Sequence, residues 1–431
     1  MTSLASAEPS WVSAWTGGLP AIHVGNVAEY NSAFGGISAG RDHYSCLAAF
    51  ASPRPGLVVL PLPVPEWWIR HLSETLGWGE LRVCGGLAAD GQVSAALAGR
   101  PELISSEATV LAWGHTPAFD RIRPAPAGVL DCIRRFESKR GSHELFRELA
   151  PGRPGIRIAA QRRVGSRREL RGAAMPYVLK TEYGVGGVGT RIVTTTPPPR
   201  RVRGLLLEEY IAGVANPTYD AVVAADGRVH PVGTGAMTID GTRYQGVTIG
   251  PGALPAEQVR TAAGFGAAVG TALASYGYRG WYDVDFVADR AGPLVPTEIN
   301  LRLTGPAVAF TLQVALDRLH GAGHVVRTLD CLPLGARLPS TALREHVTRL
   351  AGRCAELGTI LLVTIPTAAL DPFPYLGIAL ASRTLRELDE AERAMRTANE
   401  ALGTMFTRYS SEHVVTAVDR RRRRGAPLWR S

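Results

Sequence analysis

The segment "YVLKTEYGVGGVGTRIV", residues 177–193, constrains the fold more than any other stretch of the chain. Two strand-favouring runs, "YVLK" and "TRIV", flank four glycines within six positions: Gly184, Gly186, Gly187 and Gly189. Such runs around a glycine turn predict a β-hairpin. Glycine takes positive φ and allows close backbone approach, and the bare amides of such a turn can face phosphate oxygens. Yet Lys180 precedes the glycines, whereas a P-loop places its lysine after them. The hairpin alone is also compatible with a plain turn.

Of 47 basic residues only two are lysines, Lys139 and Lys180. Lysine is a compact point charge on a thin stem, and arginine a wide planar fork. Two surviving lysines are expected where a narrow site must reach a phosphate oxygen. Lys139 falls in "DCIRRFESKRGSHELFRELA" (131–150), which has helical spacing.

A second constellation lies downstream. "GWYDVDFVAD" (280–289) and "PLVPTEINLR" (293–302) read as two strands joined by a short turn. Glu298 and Asn300 are two apart and share a face, with Arg302 two residues further on. Across the turn Asp285 reaches that face. Carboxylates and an amide on a rigid hairpin suit Mg²⁺, which takes a few carboxylates and leaves the rest of its octahedron to phosphates and water. A cation at Arg302 suits a phosphate or a developing oxyanion. "LLLEEYI" (205–211) reads as a strand running into Glu208, Glu209, Tyr210 and Ile211, a strand end able to offer an adenine ring an apolar slot with a backbone edge.

Elsewhere the β-α-β rhythm of "PAIHVGNV" (20–27), "GLVVLPL" (56–62), "EWWIRHLSETLG" (66–77) and "ELRVCGG" (80–86) predicts a small open α/β unit. A proline-rich linker covers 121–129. Residues 219–233 form a hairpin tipped by Asp226-Gly227, residues 256–276 an alanine-rich helix, and 359–366, 375–382 and 384–403 two strands and a charged helix. The expected division is a 1–128 α/β domain, a 129–340 core carrying the glycine hairpin, and a 341–431 α/β cap with a basic tail.

In order and spacing these parts resemble the ATP-grasp superfamily: a helix lysine, a strand lysine before a glycine hairpin, an EEYI-like hinge, then D…ExNxR. The resemblance spans about 131–310 and implies an α/β (α+β) fold in which the lysine strand feeds a glycine lid. It implies ATP and two Mg²⁺ ions, with Mn²⁺ admissible. Lys139, Lys180, the four lid glycines and the hinge residues Glu208, Glu209, Tyr210 and Ile211 would hold the nucleotide. Asp285, Glu298 and Asn300 would hold the metal. Arg302 would stabilise the transferring phosphoryl group or tetrahedral oxyanion, beside Lys180. The chain departs from the pattern twice. Asn216 stands where many members place a ribose-binding acid. Asp283 stands where some peptide-forming members place an arginine, which leaves Arg302 or Arg243 as the oxyanion cation. "VGNVAEYNSAFGG" (24–36) ahead of the core resembles the pheganomycin-type peptide ligases, which carry an N-terminal pre-ATP-grasp domain.

The resemblance implies an ATP-dependent ligase that joins an amino-acid carboxylate to the amine of an amino acid or short peptide through an acyl phosphate, in specialised metabolism. A γ-glutamyl dipeptide ligase and a non-catalytic ATP-binding module are the alternatives, and a homodimer is left open. Composition fits: 45% hydrophobic and 20% charged residues read as a globular chain. No run reaches the ~18 apolar residues of a membrane span. The five scattered cysteines contain no CxxC pair and read as reduced thiols of a cytoplasmic protein. Net charge is +9, with Arg420–Arg424 in one run. Without interleaved aromatic residues that run reads as a solvated tail, and no nucleic-acid or membrane partner is expected.

Overall fold

The computed structural model describes residues 8–18, 20–34, 42–79, 81–88, 90–104, 108–195 and 201–423, with side chains to residue 406. The side chains of the arginine run, Gly35 and Gly36 of the 24–36 motif, and residues 196–200 of the loop after the hairpin lie outside the described residues.

The N-terminal rhythm resolves into four parallel strands: β1 (Ala21–Val24), β2 (Pro55–Val59), β3 (Arg82–Cys84) and β4 (Val110–Ala112), ordered β3-β2-β1-β4. The first strand is shorter than the 20–27 reading. Asn26 turns inward, its amide bonded to the Gly114 carbonyl at 2.9 Å, and Val27 already opens a helix.

The 131–150 reading as one helix is corrected to two. The Val129–Phe136 helix stops before Ser138, whose hydroxyl accepts from Gly141 N at 3.2 Å and caps a new helix, Lys139–Leu149. Serine competes for backbone donors in this way and so favours caps over helix interiors. The break places Lys139 at a helix start.

Four short strands then form a separate antiparallel sheet: β5 (Gln161–Arg163), β6 (Tyr177–Lys180), β7 (Thr190–Val193) and β8 (Leu206–Glu209), ordered β5-β8-β6-β7. Its own small core holds Val164, Leu170, Tyr177, Leu179, Val193, Val202 and Leu207. The glycine hairpin is the β6–β7 turn, as the sequence predicts. Tyr210 and Ile211 fall beyond β8, so the 205–211 strand reading is corrected to Leu206–Glu209.

The remaining strands build one large antiparallel sheet. They are β9 (Gly213–Ala215), β10 (Pro217–Val223), β11 (Val229–Asp240), β12 (Arg243–Ile249), β13 (Gly280–Asp289), β14 (Leu294–Asn300), β15 (Val325–Pro333), β16 (Ile360–Ile365) and β17 (Tyr375–Ser382). The order is β14-β13-β10-β11-β12-β15-β17-β16, with β9 beside β13. The C-terminal strands thus continue the central sheet, and Trp68 of the N-terminal unit donates its indole N–H to the Val363 carbonyl at 2.7 Å.

Behind β10 and β13 lies the Ala256–Ser275 helix, which buries Phe265, Val269 and Leu273 against Tyr219, Tyr282, Val284 and Phe286. Each such side chain contributes roughly 1.5–3 kcal/mol when fully buried. Gly266 and Gly270 make the close approach possible, since a Cβ on the first would stand 2.1 Å from the Tyr219 ring and one on the second 2.0 Å from the Tyr282 hydroxyl. This packing fixes one face of β13 in the core and turns the other toward the lid sheet.

Candidate active site

Alternation along the strands assembles the site. On β13, Tyr282 and Val284 face the core, so Asp283 and Asp285 face the opposite way. Register pairs Asp285 with Glu298 and Asp283 with Asn300 on β14, and on the other side Asp285 with Thr218 and Asp283 with Asp220 on β10. Three strands therefore present Asp220, Asp283, Asp285, Glu298 and Asn300 as one acidic ledge. Asn300 donates to Asp283 Oδ1 at 2.7 Å and accepts from Arg302 Nη2 at 2.7 Å.

The lid sheet faces this ledge. Val178 and Lys180 point into the space between them, while Tyr177 and Leu179 fill the lid's own core. Lys180 Nζ donates to Glu208 Oε1 at 2.6 Å, and Gln161 holds the other oxygen of Glu208 at 2.8 Å. Lys139 Nζ meets Glu298 Oε2 at 2.8 Å and donates to the Gly184 carbonyl at 3.1 Å. Gly186, Gly187 and Gly189 all have positive φ. The lid tip rests on the β11–β12 turn, and a Cβ on Gly187 would stand 1.7 Å from the Thr242 carbonyl.

Lid and ledge enclose a cleft of about 670 Å³. Most of the sequence-derived residues line it: Lys139, Lys180, Gly186, Gly187, the hinge Glu208 to Ile211, Asn216, Asp285, Glu298, Asn300 and Arg302. Gly184 and Gly189 sit in the hairpin without lining the cleft, and Arg243 is exposed, its place in the lining taken by Tyr244. Glu209 turns outward to Arg157, 2.9 Å away.

The ledge is electrostatically strained. Burial, then the charges of Asp283, Glu298 and Asp220, hold the Asp285 carboxyl well above the ordinary range. Burial pushes Asp283 up to about 7 against the pull of Arg302 and Asn300. Asp220 is likewise raised, by burial and by Asp283. Glu298 goes the other way: burial opposes its charge, but Lys139 and Lys180 outweigh it and lower the carboxyl. Asp285 Oδ1 is buried with no hydrogen-bond partner among the described residues. An unpartnered carboxylate oxygen beside further oxygen donors is what a hard divalent cation satisfies. Among the described residues no three His, Cys, Asp or Glu side chains form a ready-made metal cage, so phosphate oxygens would have to complete the coordination.

Sequence reading missed Asp220, Tyr44, Trp113 and Glu137. Asp220 carried a signal, a lone acid inside the apolar run "YDAVV". Tyr44 and Trp113 come from the N-terminal unit and reach the cleft only through tertiary packing.

The parallel-stranded N-terminal unit, the antiparallel lid sheet and the central antiparallel sheet together make an α/β ATP-grasp-like fold. The chain is similar to carboxyaminoimidazole ribonucleotide synthase from Aspergillus clavatus, solved with ATP (TM-score 0.55, 13% identity, 82% of this chain and 99% of that one). It is similar to biotin carboxylase from Campylobacter jejuni (TM-score 0.54, 11% identity, 89% and 95%). It is also similar to L-amino acid ligase from Bacillus licheniformis (TM-score 0.51, 14% identity, 80% and 98%). Identities this low establish a shared fold. No family model and no curated protein matches the chain. Among the described residues no helix is long and apolar enough to cross a membrane.

Proposed function

We propose that this chain is an ATP-dependent carboxylate–amine ligase that joins an amino-acid carboxylate to the amine of an amino acid or short peptide. One observation carries the reading: Asp285 faces Glu298 in register beneath the glycine hairpin, with Asn300 and Arg302 next along the same face. A pure nucleotide binder has no use for so many acids opposite a phosphate cover.

In this reading the γ-phosphoryl group of ATP passes to a carboxylate, and an amine displaces phosphate from the acyl phosphate. Lys180 and Lys139 grip the phosphates, and the strand end at Glu208 to Ile211 receives the adenine. Asp285, Glu298 and Asn300 would hold Mg²⁺, which when bound neutralises phosphate charge. Arg302, buried and fixed by Asn300, offsets negative charge that grows on the reacting carboxyl. The chain's work is positioning and charge neutralisation and requires no side-chain nucleophile. The finer likeness to the pheganomycin-type peptide ligases and a role in specialised metabolism rest on the 24–36 motif and the parallel N-terminal sheet ahead of the core.

The test is ADP release by the purified chain with MgATP and a pooled amino-acid and peptide library, with products read by mass spectrometry. ADP together with a new amide is the expected result, and fragmentation distinguishes an α-amide from a γ-glutamyl one. ATP that binds yet is never hydrolysed with any member of the pool overturns the reading in favour of a binding module.

A further inference from the structure

Glu137 stands between the Val129–Phe136 and Lys139–Leu149 helices. Its Oε1 accepts from Tyr30 Oη at 2.8 Å and from the Leu301 backbone N–H at 2.6 Å, and lies 3.7 Å from Arg302 Nε. The side chains of Glu137 and Arg302 are 7% and 6% exposed, so this is a buried charge pair. The guanidinium also lies over the Tyr30 ring, 5.8 Å from its centroid. Its Nη2 donates to Asn300 at 2.7 Å and its Nη1 to the Leu303 carbonyl at 3.2 Å, while Nε has no hydrogen-bond partner among the described residues and faces Glu137 through charge alone.

We infer that Glu137 is the positioning residue for Arg302, holding its guanidinium on Asn300 but back from the ledge carboxylates Asp283 and Glu298 and aimed at the carboxyl substrate, with Tyr30 of the N-terminal unit fixing Glu137 in turn. The inference rests on the ligase reading. Arg302 feels the charges of Glu137, 3.7 Å from its Nε, and of Asp283 and Glu298, the former linked to it through Asn300. A buried cation that loses one partner turns to the next. Without the charge of Glu137, Arg302 would settle on the ledge and withdraw from the substrate. The two residues after Glu137 tie the same junction to the lid: Ser138 Oγ donates to Glu182 at 3.0 Å, and Lys139 reaches Gly184 and Glu298. The two-residue linker Glu137–Ser138 and the first helical residue after it therefore set the oxyanion cation, the phosphate lysine and the hairpin root together.

Glu137→Gln separates charge from shape, because the amide oxygen still accepts from Tyr30 and Leu301. With MgATP and pooled proteinogenic amino acids, ADP release should fall on the order of 10- to 100-fold, as misplacement of a catalytic group by about 1 Å does. MgATP affinity should stay within about twofold, and the melting temperature within a few degrees. Tyr30→Phe should give a smaller fall of the same kind. Unchanged turnover in Glu137→Gln overturns the inference, and so does a fall matched by lost MgATP affinity or lost fold, which marks a structural role. If the wild type itself releases no ADP with any amino acid, the ligase reading fails separately. A crystal structure of Glu137→Gln then decides: a guanidinium swung toward Asp283 supports the positioning role, and an unmoved one overturns it.

Discussion

Lys139 Nζ lies 2.8 Å from Glu298 Oε2 and 3.1 Å from the Gly184 carbonyl, so one ammonium joins the acidic ledge to the glycine hairpin. Glu298 is the one ledge carboxylate held below its ordinary pKa, because both lysines stabilise its charge against burial. Glu298→Gln keeps the shape and removes that charge. Turnover should fall ~100-fold or more, the scale of losing one preorganised electrostatic partner. Lys139, 5% exposed, loses its carboxylate partner in this variant, so the melting temperature should fall as well. ADP release across a Mg²⁺ titration checks this, and wild-type turnover at limiting Mg²⁺ removes the metal assignment.

Lys180 makes the complementary argument about shape. Its ammonium sits 2.6 Å from Glu208 with both side chains under 10% exposed. Lys180→Arg keeps the charge but forces a planar fork into a slot filled by a point charge. Nucleotide affinity should drop roughly 10- to 100-fold, read by calorimetry. Lys180→Met leaves Glu208 as a buried unpaired carboxylate and should destabilise the lid by ~3–5 kcal/mol, with Glu208→Gln restoring most of it. Wild-type affinity in the arginine variant sinks the claim that a lysine is required.

What was legible in the sequence was local. The hairpin, its lysine and the Asp285–Glu298–Asn300 face followed from period-2 alternation and a short turn, which fix side-chain direction without knowledge of distant contacts. The helix break at Ser138 was missed because the apolar spacing of 131–150 runs through it. A cap that satisfies Gly141 N outweighed that periodicity. Tyr44 and Trp113 join the site from the N-terminal unit, far away in sequence, and nothing local fixes their positions. Asp220 and Glu137 lie nearer, but which strand pairs with β13 and where the 131–150 helix breaks decide their place. Arg243 shows the limit of motif reasoning: it adjoins the cleft in sequence, yet strand alternation turns Tyr244 inward and leaves Arg243 exposed.

The lid can be tested without touching a charged group. Gly187 has φ +84°, and a Cβ there would meet the Thr242 carbonyl at 1.7 Å. Gly187→Ala therefore cannot seat the hairpin on the β11–β12 turn. The Michaelis constant for MgATP should rise about tenfold, and amide exchange across 182–190 should speed up, while the melting temperature barely moves. Lid segments open at the low end of the local stability range, apart from global unfolding. Hydrogen exchange measured with and without MgATP checks both arms. A variant lid as protected as the wild type would remove the idea that this contact seats it.

A buried carboxyl outside the ledge predicts how stability responds to pH. Burial pushes Asp330 up to about 7, opposed only by the Tyr44 hydroxyl that donates to it at 2.5 Å. Between the ordinary carboxylate pKa near ~4 and about 7 the folded chain binds a proton here that the unfolded chain has lost. By linkage this group's contribution to stability is complete below pH ~4, falls as pH rises, and is gone above about 7. Asp330→Asn keeps an acceptor for Tyr44 and carries no charge at any pH. Relative to the wild type it should gain stability as pH rises from 4 to 8, by at most roughly 4 kcal/mol, with the two converging in acid. Urea denaturation of both chains at intervals across that range measures the difference directly. A pH-independent difference would mean that Asp330 is charged in the folded state, paired in a way the Tyr44 contact does not account for.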